Sequence, residues 1–284
     1  MARFPRWLNG VLIGLIVLGV IFRFVNLNHK VYWHDEVYTT MRAAGYTRSE
    51  IDAALFQNQS IQAGDLQRYQ QLKPDSTVLD TVRSLAIEDP QHPPLYFVMT
   101  RGWMWALDWP LKTLFKSSLT TQRSLPALLG VAALPAMYGL AWELFALPSV
   151  ALLATTLLAL SPFDVLFAQT ARQYSFLTLM VIASSYCLLR AIRLSSGRSR
   201  LSQSSHWVHW GSYSLAVAIG LYVQPFFGLT VLGHGAYGAG LWYASPRLRR
   251  SPLWRWFLGS LVGAFLLYSP WVVVMFLNRD RAFL

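Results

Sequence analysis

The fold is decided by the sequence LNGVLIGLIVLGVIFRFVNL, residues 8–27, in which Arg23 is the only charged side chain. About 20 apolar residues in a helix cross a hydrocarbon core of about 30 Å, so this run predicts a membrane span. Arg3 and Arg6 precede the run, and no small-residue cleavage site follows it. We therefore expect a retained span with its N-terminus in the cytoplasm.

The composition of the whole chain is also that of a membrane protein. Of its 284 residues, 54% are hydrophobic and 13% are charged, which leaves too little polar surface to cover a soluble globule. We predict an all-α membrane protein, a polytopic bundle of about eight apolar segments, in the inner (plasma) membrane. The predicted segments are residues 8–27, 94–109, 124–145, 149–169, 173–192, 207–227, 228–244 and 254–277.

A long polar loop, about residues 28–92, separates the first two predicted segments. It holds nine of the thirteen acidic residues and is net acidic, whereas the rest of the chain is basic. With the N-terminus inside, this loop is extracytoplasmic, in keeping with its shortage of Lys and Arg. Thr47 with Glu50, and Thr77 with Asp80, have capping-box spacing, so we expect two short helices on the membrane surface.

The basic residues outside this loop flank apolar runs, as they do in the cytoplasmic loops of membrane proteins. The net charge of +11 therefore does not indicate nucleic acid as a partner. Four full crossings after the loop put the basic residues around 193–200 outside, against the charge rule. We expect that one segment between residues 94 and 169 does not cross completely, which also places the basic stretch 246–255 inside.

The first candidate site is the sequence WHDEVY, residues 33–38, at the boundary between the first span and water. A carboxylate here can act as a general base on an acceptor while the lipid tail of the donor stays in the bilayer. Asp35 is a stronger candidate than Glu36. The alternative is that Asp35 only caps a short helix running to Arg42, and the motif alone favours this alternative.

The second candidate site is the sequence EDPQHPPLY, residues 88–96, at the other end of the loop. Its two adjacent prolines also suit an ordinary helix start. Glu88, Asp89 and His92 nevertheless lie at the same predicted depth as Asp35. A second carboxylate there can orient the acceptor or hold a cation.

The third candidate is Arg172 with Tyr174, between two apolar runs. An arginine at the end of a span often only reaches to the lipid headgroups, which is the simpler explanation. Its planar guanidinium also suits a phosphate, because it offers paired charge-assisted hydrogen bonds. A lipid-linked phosphate bound there is stabilised as it becomes a leaving group.

The residues leave a divalent cation open as a cofactor but contain no dedicated metal motif. No Gly-rich phosphate loop is present, so a soluble nucleotide is not an obvious substrate. The side chains that could share a cation are His34, Asp35, Glu36, Glu88, Asp89 and His92.

Four motifs follow one another in a distinctive order relative to the predicted spans. They are Asp35-Glu36 with Tyr38, His92-Pro93-Pro94-Leu95-Tyr96, Arg123-Ser124-Leu125-Pro126, and Ser161-Pro162-Phe163 with Arg172 and Tyr174. This order resembles the polyprenyl-phosphate-dependent GT-C membrane glycosyltransferases. That superfamily includes the protein O-mannosyltransferases and the lipid A aminoarabinose transferase, and this chain looks similar to glycosyltransferase family 39. The resemblance extends over most of residues 1–230.

The resemblance implies a single GT-C-type module over residues 1–284 whose extracytoplasmic loop bears the active site. It also implies a polyprenyl-phosphate sugar donor, a protein, lipid or glycan acceptor, and an inverting transfer in one step. Asp35 then acts as the general base, and Arg172 contacts the donor phosphate. The implied catalytic residues are Asp35, Glu36, Glu88 and Asp89, and the implied substrate contacts are His34, Tyr38, His92, Arg172 and Tyr174.

Two other classes of function remain open: a non-catalytic membrane protein and a hydrolase. Members of the superfamily continue with further spans, so we expect this chain to be C-terminally truncated. A non-catalytic remnant that acts as a subunit is therefore one alternative. A transporter of lipid-linked sugars is another, although transporters place ionisable residues near the bilayer midplane, often in repeated halves, and no repeat is visible here. A hydrolase would use the same loop with water as the acceptor.

Overall fold

Helices make up all of the regular structure that is described. The computed structural model describes residues 5–58, 60–108, 118–196 and 203–281, and no strand occurs within these ranges, which confirms the all-α prediction. Some residues of the predicted spans and basic stretches lie outside the described ranges: Arg3, Trp109, Arg198 and Arg200. The helices are α1 (Arg6–Phe24), α2 (His34–Ala44), α3 (Arg48–Leu55), α4 (Ala63–Gln67), α5 (Val78–Glu88), α6 (Leu95–Asp108), α7 (Ser118–Phe145), α8 (Pro148–Leu160), α9 (Pro162–Ala168), α10 (Tyr174–Ser196), α11 (Gln203–Val223), α12 (Gly228–Ala244), α13 (Pro246–Arg249) and α14 (Leu253–Leu277).

Four described helices, α1, α7, α10 and α14, are long and apolar enough to cross a membrane. The number becomes five if α8 and α9, which are bent by 60° at their junction, count as one span. Eight apolar segments were predicted as spans, and four or five of the described helices qualify, although each predicted segment overlaps a helix. The protein is all-α and has apolar helices of membrane-spanning length.

The remaining predicted spans fall short for identifiable reasons. Within the described residues α6 has 14 residues, about 21 Å at 1.5 Å per residue, against about 30 Å of hydrocarbon. Helix α12 has 17 residues. Helix α11 is longer, but it begins with the polar and aromatic sequence QSSHWVHW. Hydrophobic character alone located these helices, but not all of them have the length and composition of a span within the described residues.

The break between α8 and α9 lies at Ser161-Pro162. Proline has no backbone N–H and disfavours helical geometry in the residue before it, so the first helix ends at Leu160. Ser161 has φ −58° and ψ 121°, outside the helical range. We predicted an incomplete crossing between residues 94 and 169, and the short α6 and the bent α8–α9 pair are the two segments that fit it. The topology itself stays a prediction.

The polar loop folds into short helices, as predicted. Thr47 Oγ1 accepts a hydrogen bond from the Glu50 N–H at 3.2 Å, and Glu50 Oε2 accepts one from the Thr47 N–H at 3.0 Å. Asp80 Oδ2 accepts from the Thr77 N–H at 2.6 Å. These contacts confirm the helix starts of α3 and α5. Helix α4 is additional to the two that were predicted, and α2 is the short helix through Arg42 that the alternative for Asp35 supposed.

The chain divides into two compact units. One comprises Met1–Val20, Val131–Ser161 and Leu177–Pro270, and the other comprises Ile21–Gly130, Pro162–Phe176 and Trp271–Leu284. We call them the first and the second unit. The candidate residues of the polar loop, together with Arg172 and Tyr174, all belong to the second unit.

Small residues bring helices close together in the first unit. A Cβ atom on Gly19 would lie 2.4 Å from the Ala159 carbonyl oxygen, so only glycine allows this approach of α1 to α8. Thr156 Oγ1 lies 3.5 Å from the Leu12 carbonyl oxygen in the same contact. Close backbone approach through small residues is the usual packing mode of membrane helices.

Helix α2 is held firmly at its C-terminal end in the second unit. Arg101 donates from Nη1 to the Ala44 carbonyl at 3.1 Å, and Thr81 Oγ1 donates to the Ala43 carbonyl at 3.0 Å. A cation at this end of a helix also complements the helix dipole. Met104 packs against the two alanines. These contacts anchor α2, and with it the first turn that carries the candidate carboxylates.

Candidate active site

The first turn of α2 places His34, Asp35 and Glu36 together at the start of a helix. Acidic residues are favourable here because the free N–H groups give this end a partial positive charge. The cap is made by Glu36, whose Oε2 accepts from the Trp33 N–H at 3.0 Å. Asp35 lies within the helix and not at the N-cap, so the alternative capping role considered for it belongs to its neighbour.

Glu36 is buried in an ion pair with Arg123. Its Oε1 accepts from Arg123 Nε at 2.8 Å and its Oε2 accepts from Arg123 Nη2 at 2.7 Å. Oε1 also accepts from the Ala171 N–H at 2.7 Å. Both partners have only 1% of their surface exposed. The carboxylate is fully engaged, so it holds the site together and is not available as a base.

Arg123 also fixes the connection between α1 and α2. Its Nη1 donates to the Leu27 carbonyl at 2.6 Å and its Nη2 donates to the Val31 carbonyl at 3.0 Å. The sequence motif included this arginine but gave it no partner. The available signal was a charged residue beside an apolar run, which is costly unless it is paired.

Asp35 is the accessible carboxylate of the pair. Its side chain is 36% exposed, and its Oδ2 accepts from the Tyr174 hydroxyl at 3.2 Å. Arg172 Nη2 lies 3.7 Å from the same oxygen, and His34 Nδ1 lies 3.7 Å from Oδ1. Asp35 therefore faces solvent while a cation and a phenol orient it. A carboxylate in this setting can accept a proton from a substrate group.

Arg172 retains hydrogen-bonding capacity. Its Nη1 donates to Thr39 Oγ1 at 3.1 Å, and its guanidinium carbon lies 5.9 Å from the centre of the Tyr174 ring. Its Nε is buried and has no hydrogen-bond partner within the described part of the chain. Since guanidinium offers five N–H donors, Arg172 has donors left for an anion. Thr39 was not predicted as part of the site.

Glu88 holds three loop helices together. It pairs with Arg42 of α2, accepts from the Arg48 N–H at 2.7 Å and accepts from Ser49 Oγ at 3.1 Å at the start of α3. Burial raises the pKa of Glu88, but the Arg42 guanidinium and the N–H groups of α3 outweigh it and hold the pKa below its usual value. These contacts indicate that Glu88 stabilises the packing of the loop helices.

Asp89 and His92 form a separate pair at the end of the loop. Asp89 Oδ1 lies 2.8 Å from His92 Nδ1, and the His92 N–H donates to the Asp89 carbonyl at 3.0 Å. The neighbouring Pro90 carbonyl accepts from Trp271 Nε1 at 3.0 Å. Asp89 thus orients the imidazole, and both side chains are partly exposed.

Tyr38 lies one helical turn after His34, and their ring centres are 4.8 Å apart. The structure therefore brings Asp35, Arg172, Tyr174 and His34 into one group with Tyr38 beside it. It places the other predicted residues in separate pairs: Glu36 with Arg123, Glu88 with Arg42, and Asp89 with His92. Among the residues that the structure describes, no three His, Cys, Asp or Glu side chains converge as metal ligands.

No protein-family model, curated protein or solved structure matches this chain. Any functional interpretation therefore depends on the chemistry of the site. A half-exposed carboxylate beside a buried guanidinium with spare donors can take a proton from one group and bind an anion on another.

Proposed function

We propose that the protein is a membrane glycosyltransferase that moves a sugar from a polyprenyl phosphate to an acceptor on the extracytoplasmic side. Asp35 is the general base, Arg172 binds the donor phosphate, and Tyr174 orients Asp35. The observation that carries the proposal is the contact between the half-exposed Asp35 and the buried Arg172, whose Nε is unpartnered. The motif order described above supports the same reaction class.

The proposed reaction is a single displacement. Asp35 takes the proton of the acceptor hydroxyl or amine, a bond forms between the acceptor atom and the anomeric carbon, and the bond from that carbon to the phosphate oxygen breaks. The polyprenyl phosphate leaves with the electron pair of the broken bond. Arg172 stabilises the charge that develops on this phosphate.

We expect one further step before the transfer itself. Arg172 Nη2 lies 3.7 Å from Asp35 Oδ2, a separation too small for a sugar ring between them. We expect the donor phosphate to replace the Asp35 carboxylate as the partner of Arg172. That exchange frees the Asp35 carboxylate to take the acceptor proton, so donor binding precedes activation of the acceptor.

Within this proposal the remaining predicted residues take supporting roles. Glu36 and Glu88 position α2 through Arg123 and Arg42. Asp89 with His92 and the His34–Tyr38 pair are the groups left to contact the sugar or the acceptor.

The test measures transfer of radiolabelled mannose or aminoarabinose from polyprenyl phosphate in membranes containing this chain. Asp35→Asn at matched protein level is the variant, and Asp52→Asn is the control because Asp52 lies in the same loop and forms an exposed ion pair with Arg48. We expect loss of transfer in Asp35→Asn alone, by a factor of about 10²–10⁴.

Equal transfer by Asp35→Asn and the wild type would rule out Asp35 as the base. If the wild type releases free sugar and leaves none attached to an acceptor, the protein is a hydrolase. If the inserted wild type gives neither product, the non-catalytic alternatives replace the proposal.

A further inference from the structure

A groove runs between α11 and α14 in the first unit. Its volume is about 570 Å³, within the usual range of ligand pockets. The two helices run in the same direction along it: the Trp207 and Trp256 rings are 4.8 Å apart, and Ser260 Oγ donates to the Trp210 carbonyl at 3.1 Å. Further along, a Cβ on Gly263 would lie 3.0 Å from Ser214 Oγ.

Glycines keep this groove open. Gly211 and Gly259 line it from the two helices, and a Cβ atom added to either would meet no other atom within 4 Å. A larger side chain at these positions would therefore enter the groove without displacing the protein.

One end of the groove is basic. Arg255 lines it and is exposed, and Arg247, Arg249 and Arg250 precede it in the stretch 246–255, which contains no acidic residue. Trp207 and Trp256 lie at the same end, as tryptophans do at the membrane–water interface. The groove thus has a cationic, aromatic entrance and a small-residue interior.

The groove is comparable in length to one leaflet. Its lining runs from Pro252, which directly precedes α14, to Gly263, about 16 Å at 1.5 Å per residue, and from Trp207 to Ser214 on α11, about 10 Å. Half of a hydrocarbon core of about 30 Å is about 15 Å. The groove therefore suits an acyl chain of a single leaflet, with its headgroup at the basic end.

We infer that this groove is a binding site for an anionic phospholipid. Arg255 holds the phosphate through charge-assisted hydrogen bonds, and one acyl chain lies over Gly211 and Gly259 between the helices. Charge complementarity and the length of the groove favour an anionic phospholipid in the leaflet next to the basic stretch 246–255. The inference is independent of the proposed transfer reaction.

The experiment counts lipids retained by the whole chain. The protein is purified in mild detergent, mixed with phosphatidylglycerol or with phosphatidylcholine of identical acyl chains, and examined by native mass spectrometry. For the wild type we expect one phosphatidylglycerol, with affinity about fivefold above that for phosphatidylcholine. Arg255→Gln reduces the affinity for phosphatidylglycerol to that for phosphatidylcholine. Gly259→Leu removes binding of both.

Two control variants match these changes away from the groove. Arg83→Gln removes one exposed positive charge from the polar loop, and Gly233→Leu adds the same side chain to an open glycine of α12. Both retain the wild-type lipid. Gly211→Leu fills the groove from the α11 side, and we expect it to remove binding of both phospholipids as well. It replaces Gly259→Leu in the test if Gly259→Leu folds poorly.

Three results would overturn the inference. Wild-type binding by both folded leucine variants would show that the lipid does not occupy the groove. Equal affinity for the two phospholipids would show that Arg255 does not select an anion. Displacement of phosphatidylglycerol by an equimolar polyprenyl phosphate would assign the groove to an isoprenoid lipid.

Discussion

Asp35 and Glu36 are adjacent carboxylates with opposite surroundings. Asp35 is 36% exposed and faces Arg172 and Tyr174, whereas Glu36 is buried against Arg123. The difference comes from the helix, since neighbouring residues point about 100° apart around its axis. Asp35 can therefore contact a substrate while Glu36 stabilises the fold.

We predict that Glu36→Gln lowers stability far more than Asp35→Asn. Removing the charge of Glu36 leaves Arg123 buried and unpaired, which typically costs about 3–5 kcal/mol. Asp35→Asn removes a partner that is 36% exposed and lies 3.7 Å from Arg172, beyond hydrogen-bond distance, so its effect on stability is smaller. Thermal unfolding of the detergent-purified variants checks this prediction, and a Glu36→Gln variant as stable as the wild type would contradict it.

Arg172→Lys separates charge from geometry. Lysine keeps the positive charge but loses the planar fork and the Nε–H donor of Arg172. Under the proposed function we expect transfer to fall by about 10²–10³, because a donor to the transition-state charge is lost. The measurement is kcat and KM for the polyprenyl-phosphate donor at unchanged folded-protein level, and a rise in KM alone would indicate that Arg172 only binds the donor.

The loop helices depend on Glu88, which joins α2, α3 and α5. We predict that Glu88→Gln speeds amide hydrogen exchange in these three helices, while Asp52→Asn leaves exchange unchanged. The reason is that Glu88 accepts a hydrogen bond from the Arg48 N–H in the first turn of α3 and is the ion-pair partner of the buried Arg42.

The same residue gives a pH dependence with a definite sign. The pKa of Glu88 is held below its ordinary value of 4.5, so its stabilising contribution is complete above pH 4.5 and is lost as pH falls through the lowered pKa. The difference in loop exchange between the wild type and Glu88→Gln is therefore constant near neutral pH and shrinks in acid. A difference that grew on acidification would contradict this assignment.

Local signals predicted some elements well and others poorly. The helix starts after Thr47 and Thr77 were predictable because a capping box involves residues three apart. The pairing of Glu36 with Arg123 was not, because the two residues are 87 positions apart and only the folded chain brings them together. Hydrophobicity located α6 and α12, but neither reaches the length of a span within the described residues.

At the scale of the whole molecule, the predicted topology can be tested by labelling. We expect the polar loop on the outer side and the basic stretch 246–255 on the inner side. With Cys187 replaced by Ala, the chain has no other cysteine, so Asp52→Cys and Arg249→Cys each introduce a single label site. A membrane-impermeant maleimide applied to intact cells should label Asp52→Cys, and it should label Arg249→Cys only after permeabilisation.

Labelling of both positions from outside would show that the number of crossings between them is even and would remove the predicted orientation. The reverse pattern would place the candidate site in the cytoplasm, where an extracytoplasmic acceptor cannot reach it.

The ion pair between Glu36 and Arg123 also has a consequence for biosynthesis. The carboxylate emerges from the ribosome 87 residues before its guanidinium partner, and the Ala171 N–H that completes its shell follows 48 residues after that. During this interval Glu36 has to stay hydrated outside the lipid. The loop therefore acquires its final form only after α7 and the segment through Ala171 have been synthesised, which makes the site one of the later parts of this region to mature.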